Sequence, residues 1–327
     1  MKHGNQTILL AASALLGIAT LTGCGSSAPK VGILTFGSFE ALTNATDGFV
    51  AALSDAGFKD GDKISLVKQN PEADMATNTS MAQTLAASCS LVYGVATPSA
   101  SALKNAISTM GSDIPLVFSA VTDPVGAKLV ASLDKPGANV TGASDLGPIA
   151  EEINLLSDFS GIDKVAVLYN SAESNSIYQI NIAQPLMEAK GWSVVAKTVT
   201  KANEITAAVS AIDSDVDALF IPTDDLVAAN MATVKSANEA RTGHPLIIAG
   251  CDSGMISGSV LAMGVDYYQL GVQAGQMAAK ILNGTKPADI PVETSEKSVV
   301  KINKTWATSL GISLPEALLA TPGAVII

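Results

Sequence analysis

Leu91-Val92-Tyr93-Gly94-Val95 runs straight into Ala96-Thr97-Pro98-Ser99-Ala100, an apolar stretch followed by a hydroxyl-rich turn. A short apolar run without polar alternation suits a strand covered on both faces, as in parallel sheets. Met75 to Ala87 before it and Ser99 to Met110 after it carry helical spacing, the second closed by Gly111. Helix and strand in alternation predict βαβ units around a mainly parallel sheet.

The same rhythm extends outward on both sides. Val31-Gly32-Ile33-Leu34, Ile64 to Val67, Pro115 to Phe118 and Asn139-Val140-Thr141 read as further strands, with a helix over Asn44 to Ala56. The pattern then restarts with strands at Lys164 to Tyr169, Trp192 to Lys197, Ala218 to Ile221 and Leu246 to Ala249. Helices fall between them around Ile177 to Ala189, Asn203 to Ala211 and Leu226 to Ala240. A strand at Val260 to Val265, a long helix from Tyr267 to Leu282, a strand at Lys297 to Ile302 and a helix at Lys304 to Leu310 complete the chain. The two halves share a pattern but no residue-level repeat. They predict an α/β protein of two Rossmann-like lobes with a ligand cleft between them.

Composition narrows the function. The 327 residues are many for one core, and with 48% apolar and 15% charged residues the chain reads as well packed. A net charge of -11 argues against nucleic acid as a partner. Arg241 is the only arginine, so a ligand carboxylate would be held by hydroxyls, backbone N–H groups and helix N-termini, not by a guanidinium fork.

Lys2 and the apolar run Ile8 to Leu21 form a targeting segment, too short for a transmembrane span of about 20 apolar residues. Leu21-Thr22-Gly23-Cys24 resembles the lipobox of bacterial lipoproteins. Residues 1–23 are therefore expected to be a signal peptide and Cys24 the lipidated residue, with 24–29 as a tether. The mature protein would be lipid-anchored on the extracytoplasmic face of the cell membrane. Cys89 and Cys251 fall in different halves, and a bridge between them would lock the lobes, so both are expected to stay free.

The strand ends carry the chemistry. Ser119 to Pro124, Gly142 to Asp145, Asn170 to Ser176, Pro222 to Asp225 and Gly250 to Gly254 join Ala96 to Ala100 as polar turns. Any one of them is explained by helix capping; all of them on facing edges argue for a binding site. Candidate ligand-binding residues are Phe36, Thr97, Ser99, Ser119, Thr122, Asp145, Asn170, Asn175, Thr223, Asp224, Asp252 and Tyr267. Hydroxyls and N–H groups of the first half suit a carboxylate, and Asp145, Asp224 and Asp252 suit an ammonium. Together they describe an amino-acid-like zwitterion. Replacing Asp224 or Asp252 by alanine is expected to weaken binding without unfolding the protein. Phe39, Tyr169 and Tyr178 join Phe36 and Tyr267 as aromatics placed to stack on a ring. Asp224-Asp225 as a pair reads as a solvated helix start, and His244 as a surface loop residue.

No GxSxG elbow, phosphate loop or paired-cysteine metal motif occurs. An enzyme using Ser99 or Cys251 as nucleophile would lack a nearby base in sequence. No catalysis, cofactor or metal is expected.

Phe118-Ser-Ala-Val-Thr-Asp-Pro124, Gly137-Ala-Asn-Val-Thr-Gly142, Ile221-Pro-Thr-Asp224, Val265-Asp-Tyr-Tyr-Gln-Leu-Gly271 and Lys286-Pro-Ala-Asp-Ile-Pro-Val-Glu293 resemble the ABC-transporter substrate-binding family that includes tryptophan-binding lipoproteins. The likeness runs from about Lys30 to Leu319. It implies a type I periplasmic-binding fold whose three crossings fall near Ser144-Asp145, Met263 to Tyr267 and Ile290 to Glu293. The N-terminal lobe would then be 30–144 plus 266–290, and the C-terminal lobe 145–265 plus 291–327. It further implies a monomer that feeds an amino acid, aromatic by preference, to an ABC permease. A sensor presenting the solute to a membrane receptor is the alternative. Phe39 to Thr43 and Asp225 depart from the family pattern, which leaves ligand identity the least transferable feature.

Overall fold

The computed structural model describes residues 1, 28–295 and 297–327. The expected lipid site at Cys24, and all but Met1 of the expected signal peptide, lie outside the described residues. No helix among the described residues is long and apolar enough to cross a membrane.

The first half alternates β1 (Lys30–Thr35), α1 (Glu40–Asp55), β2 (Ser65–Gln69), α2 (Met75–Ser88), β3 (Leu91–Val95), α3 (Thr97–Thr109), β4 (Leu116–Ser119) and β5 (Val140–Ser144). The second continues with α4 (Ile149–Leu156), β6 (Lys164–Asn170), α5 (Ser174–Ala189), β7 (Ser193–Val199), α6 (Ile205–Ser210), β8 (Ala218–Ile221), α7 (Asp225–Ala228), α8 (Met231–Glu239), β9 (Ile247–Gly250) and β10 (Leu261–Val265). Then come α9 (Tyr267–Leu282), β11 (Glu293–Thr294), β12 (Ser298–Ile302), α10 (Lys304–Ser309), α11 (Glu316–Leu319) and β13 (Val325–Ile326).

These strands make two sheets, ordered β11-β5-β4-β3-β1-β2 and β13-β12-β10-β9-β8-β6-β7. All pairings are parallel except β10 with β12. In the first sheet Val31 lies opposite both Leu66 and Leu91, which places β1 between β2 and β3. Every residue of β3 is buried, as its unbroken apolar run requires. The first sheet packs helices on both faces, around Phe49 and Tyr93 on one side and Leu103 and Phe118 on the other. The second lobe has its own core around Val167, Leu219 and Phe220.

Helix α9 follows the last parallel strand of the second sheet yet belongs to the first lobe, packed along α1. A Cβ at Gly271 would collide with the carbonyl of Ala45, and one at Gly48 with that of Tyr268. Glycine at these two positions lets the helix backbones touch. This close approach fixes Tyr267, the first residue of α9, at the junction of the lobes.

The chain crosses between lobes after Ser144, after Val265 and between Thr294 and Ser298. The third crossing lies later than the resemblance implied. Glu293 and Thr294 pair with Ala143 and Ser144 of β5, so the chain stays on the first sheet to Thr294. Placing all of 291–327 in the C-terminal lobe is corrected accordingly; a two-residue strand carries no periodic signal. The helix expected over Leu226 to Ala240 is two helices, α7 and α8, parted at Ala229-Asn230. Helix α4, absent from the sequence reading, buries Ile149, Ile153 and Leu156.

Arg241 is structural. Its guanidinium donates to the carbonyls of Val209 and Ile212 at 3.1 and 2.8 Å and of Asp213 at 3.1 Å. Cys89 and Cys251 are both buried and free.

Candidate functional site

The carboxyl ends of both parallel sheets face one another, and the turns that leave them line two adjoining spaces. The inner space is narrow. Phe39, Ala120, Thr122 and Tyr267 border it from the first lobe, and Asn175, Asp224, Asp225 and Asp252 from the second, with Asp145 at a crossing. The outer space is a cavity of about 340 Å³ between Phe36, Met75, Thr97 and Pro98 on one side and Asn170, Asn175 and Leu226 on the other.

Asp145 ends the first sheet and is held from two directions. Thr122 Oγ1 and Tyr267 Oη donate to its two oxygens, each at 3.0 Å. Gln179 Nε2 of the second lobe donates in turn to Thr122 Oγ1 at 3.3 Å, and its Oε1 accepts the N–H of Thr223 at 3.2 Å. A hydrogen-bonded chain therefore spans the cleft. Burial pushes Asp145 up to about 6, against the opposing pull of Tyr267 and Thr122.

Asp224 caps α7 through the N–H of Val227 at 2.8 Å. Its other oxygen accepts the N–H of Asn170 at 2.6 Å and the hydroxyl of Ser176 at 2.7 Å. Glu173, from the turn after β6, accepts the N–H groups of Asp225 and Leu226. Burial and then the neighbouring Asp224 push Glu173 up to about 8. Asp252 accepts the N–H of Gly254 at 2.7 Å, and burial raises it to about 7.

Asp225 overturns the reading of a solvated helix start: it is only 5% exposed, and Asp224 is fully buried. Burial raises Asp225 well above the usual carboxylate range, and Glu173, Asp224, Asp145 and Asp252 add to the rise. Its Oδ2 has no hydrogen-bond partner, nor has Oδ1 of Asn175, whose Nδ2 donates to the carbonyl of Thr223 at 2.9 Å. Among the described residues no lysine, arginine or histidine lines either space.

Other candidates divide. Phe36 and Thr97 line the outer space, with Thr97 opening the 13-residue α3. Thr223 lines the inner space, though its hydroxyl donates to the carbonyl of Cys251. Asn170 reaches the outer space but spends its amide on Ala172 and Glu173 within its own turn. Ser99 and Ser119 are corrections, because neither lines the cleft. Ser99 is fully buried and donates to Asn78 Oδ1 at 3.0 Å, tying α3 to α2. Ser119 pairs with the hydroxyl of Tyr93, whose ring stacks on Phe49 with centroids 3.8 Å apart. Both positions fall on the inward side of their element, which polarity alone does not reveal. Tyr169 and Tyr178 line neither space.

Sequence reasoning missed Glu173, Gln179 and Asn78. Only Glu173 left a signal, lying within a polar turn already singled out. Backbone strain marks the same edge: Ala96 and Ala120, just after β3 and β4, hold φ of 79° and 55°. Such conformations in alanine cost about 1–3 kcal/mol and gather at binding sites.

Two features outside the cleft carry no comparable chemistry. A hollow of about 480 Å³ at the base of the second lobe runs from Phe159 to Leu314. His244 at its rim is half exposed, with Nε2 3.0 Å from the carbonyl of Val216. Cys251 is held as a thiol, since burial and then the nearby Glu152 raise it well above its ordinary value.

Residues 30–326 match the family described as ABC transporter substrate binding protein. The chain belongs to this family. The substrate-binding protein is 35% identical over 323 residues to a tyrosine-binding protein of Clostridioides difficile, covering 93% of this chain and 92% of that one. It superimposes with a TM-score of 0.84, at 35% identity, on an ABC domain from Streptococcus pneumoniae in complex with L-Trp. That match covers 92% of this chain and 100% of the other. The TM-score falls to 0.67, at 33% identity, against the ligand-free, open structure of a substrate-binding protein with adhesive properties from Clostridium difficile. There 91% of this chain and 99% of the other are covered. The fold is the type I periplasmic-binding fold, and the chain as a whole superimposes better on the L-Trp complex than on the ligand-free, open structure. The contacts across the cleft agree: besides Gln179 with Thr122, Lys301 Nζ of β12 lies 2.9 Å from Glu40 of α1.

Proposed function

We propose that this substrate-binding protein captures an aromatic amino acid between its lobes and delivers it to the permease of an ABC importer. The observation that carries this reading is the set of buried acids around the inner space, with no protein cation among the lining residues and with Asp225 Oδ2 and Asn175 Oδ1 unpartnered. Buried carboxylates demand a counter-charge. A ligand ammonium supplies it.

The remaining groups fit the rest of such a ligand. The first-turn N–H groups of α3, left unpaired by the helix itself, and the Thr97 hydroxyl suit a carboxylate. Phe36, Phe39 and Met75 offer apolar and aromatic surface to a ring. The relatives known for tyrosine binding and for a bound L-Trp support the aromatic class.

Because both lobes contribute, the ligand stabilises the closed form by its differential affinity for it, and the closed form is what the permease reads. The protein works as a monomer, held at the extracytoplasmic face through lipid on Cys24 and the 24–29 tether.

The test is a thermal shift of residues 26–327 against amino acids, nucleosides and sugars. Ligand at a thousand times its dissociation constant adds about 4 kcal/mol. Selective stabilisation by tyrosine, tryptophan or phenylalanine is expected, and a response to sugars or nucleosides alone would overturn the ligand class. Cys24→Ser is expected to release the full chain from membranes into the soluble fraction.

A further inference from the structure

We propose that Asp225 makes the cleft select for net positive charge, so that aromatic amines and amino-acid amides bind at least as tightly as the free amino acids. This rests on the aromatic ligand proposed above and narrows it.

The acids around the inner space are not equivalent. Asp145 is occupied by Thr122 and Tyr267, Asp224 by Asn170, Ser176 and Val227, and Asp252 by the N–H of Gly254. Asp225 lines the space with a fully buried carboxylate oxygen that nothing in the protein meets. The unpartnered Oδ1 of the buried Asn175 borders the same space. Two acceptors without donors at one wall call for a donor from the ligand, and beside several carboxylates a charged ammonium is the strongest one.

A zwitterion answers that call with no net charge. Its carboxylate finds no basic side chain in either space, with Glu173 at the wall of the outer one and four aspartates lining the adjoining inner one. Neutral donors alone offset the repulsion: the Thr97 hydroxyl and the start of α3, where Pro98 removes one N–H. An amide or amine keeps the ammonium and loses the repelled group. Like charges a few ångströms apart in a partly desolvated cleft repel strongly enough to change affinity roughly tenfold or more.

The experiment measures dissociation constants of L-tyrosine, L-tyrosinamide and tyramine by calorimetry at pH 7.5, for the natural protein and for Asp225→Asn. Asparagine has the same shape and removes an acid whose ionisation burial and its acidic neighbours already oppose, so the apo melting midpoint, measured alongside, is expected to be unchanged or higher. In the natural protein the amide and amine are expected to match L-tyrosine or exceed it by roughly tenfold. In Asp225→Asn they are expected to weaken tenfold or more, with L-tyrosine weakening less. Tyrosine binding with the amide and amine tenfold weaker would overturn the inference and leave the amino-acid reading standing. An unchanged ligand preference in folded Asp225→Asn would remove Asp225 from the role. Amines binding without tyrosine would uphold the charge selection and overturn the amino-acid reading, and binding by none of the three would overturn both.

Discussion

Glu173 and Asp224 each cap the loop that carries the other. Glu173 accepts the N–H of Asp225 at 2.9 Å and of Leu226 at 3.2 Å, while Asp224 accepts the N–H of Asn170 at 2.6 Å. The turns after β6 and β8 are thereby clamped into one piece, and that piece presents Asn175 and Asp225 to the cleft. The binding wall of the second lobe is thus rigid before any ligand arrives.

Asp224→Ala strips an acceptor from two backbone N–H groups and the Ser176 hydroxyl, all buried. A loss of about 2–4 kcal/mol is expected, read as a lower urea midpoint. The same titration tests the expectation that Asp224 can be replaced without unfolding the protein. Asp252→Ala frees only the N–H of Gly254 and is expected to be milder. Equal midpoints for both variants and the natural protein would show that the clamp adds no stability.

Affinity is expected to rise with pH between about 5 and 8, because an ammonium prefers ionised neighbours and Asp145 and Asp252 sit at about 6 and about 7. Tyr267→Phe removes the donor that favours ionised Asp145. The rise should then move to higher pH, with affinity at pH 6 several-fold weaker. Calorimetry across that range decides it, and coincident profiles would show that Asp145 does not meet the ligand.

The empty protein is expected to lose stability over the same interval. Glu152 and Glu173 titrate near 8 in the folded state, against about 4.3 for a free glutamate. Between those values the folded chain holds protons that the unfolded chain has released, so unfolding becomes easier as pH rises. Stability is therefore greatest below pH 5 on this account and is lost towards pH 8. Glu152→Gln, outside the cleft lining, should flatten part of that slope in urea titrations at pH 5 and pH 8. A natural protein equally stable at both would refute the buried-acid account.

The Lys301–Glu40 pair joins β12 to the start of α1 across the cleft. Exposed pairs contribute about 0.2–1 kcal/mol, so Lys301→Met should weaken ligand binding by up to about fivefold at low salt and hardly at all at high salt. Calorimetry at two ionic strengths reads this, with scattering from the empty protein reporting a more open average shape. A salt-independent loss would point to packing instead of charge.

Local pattern was enough for the architecture. The apolar runs at Leu91–Val95 and Ala218–Ile221 have to be covered on both faces, and helices between them have to supply the cover, so two parallel sheets follow from spacing alone. The polar turns at the strand ends were equally legible, because the chain order of a βα unit dictates which end they occupy. Side-chain direction was not. Ser99 and Ser119 are as polar as Thr97 and Thr122, yet only the latter two line the cleft, since that depends on how each turn enters its helix or leaves its strand. Glu293 and Thr294 became a strand only because β5 offered an edge.

By itself, then, the sequence determined two α/β lobes, their facing polar edges and strand-end turns that carry aspartates and no arginine, because periodicity and composition act over a few residues at a time. Tertiary structure alone decided that Asp225 is buried with a free oxygen, that Glu173 and Asp224 clamp each other and that Gln179 reaches Thr122. Those contacts join residues tens of positions apart, and burial exists only once the two lobes have closed on one another.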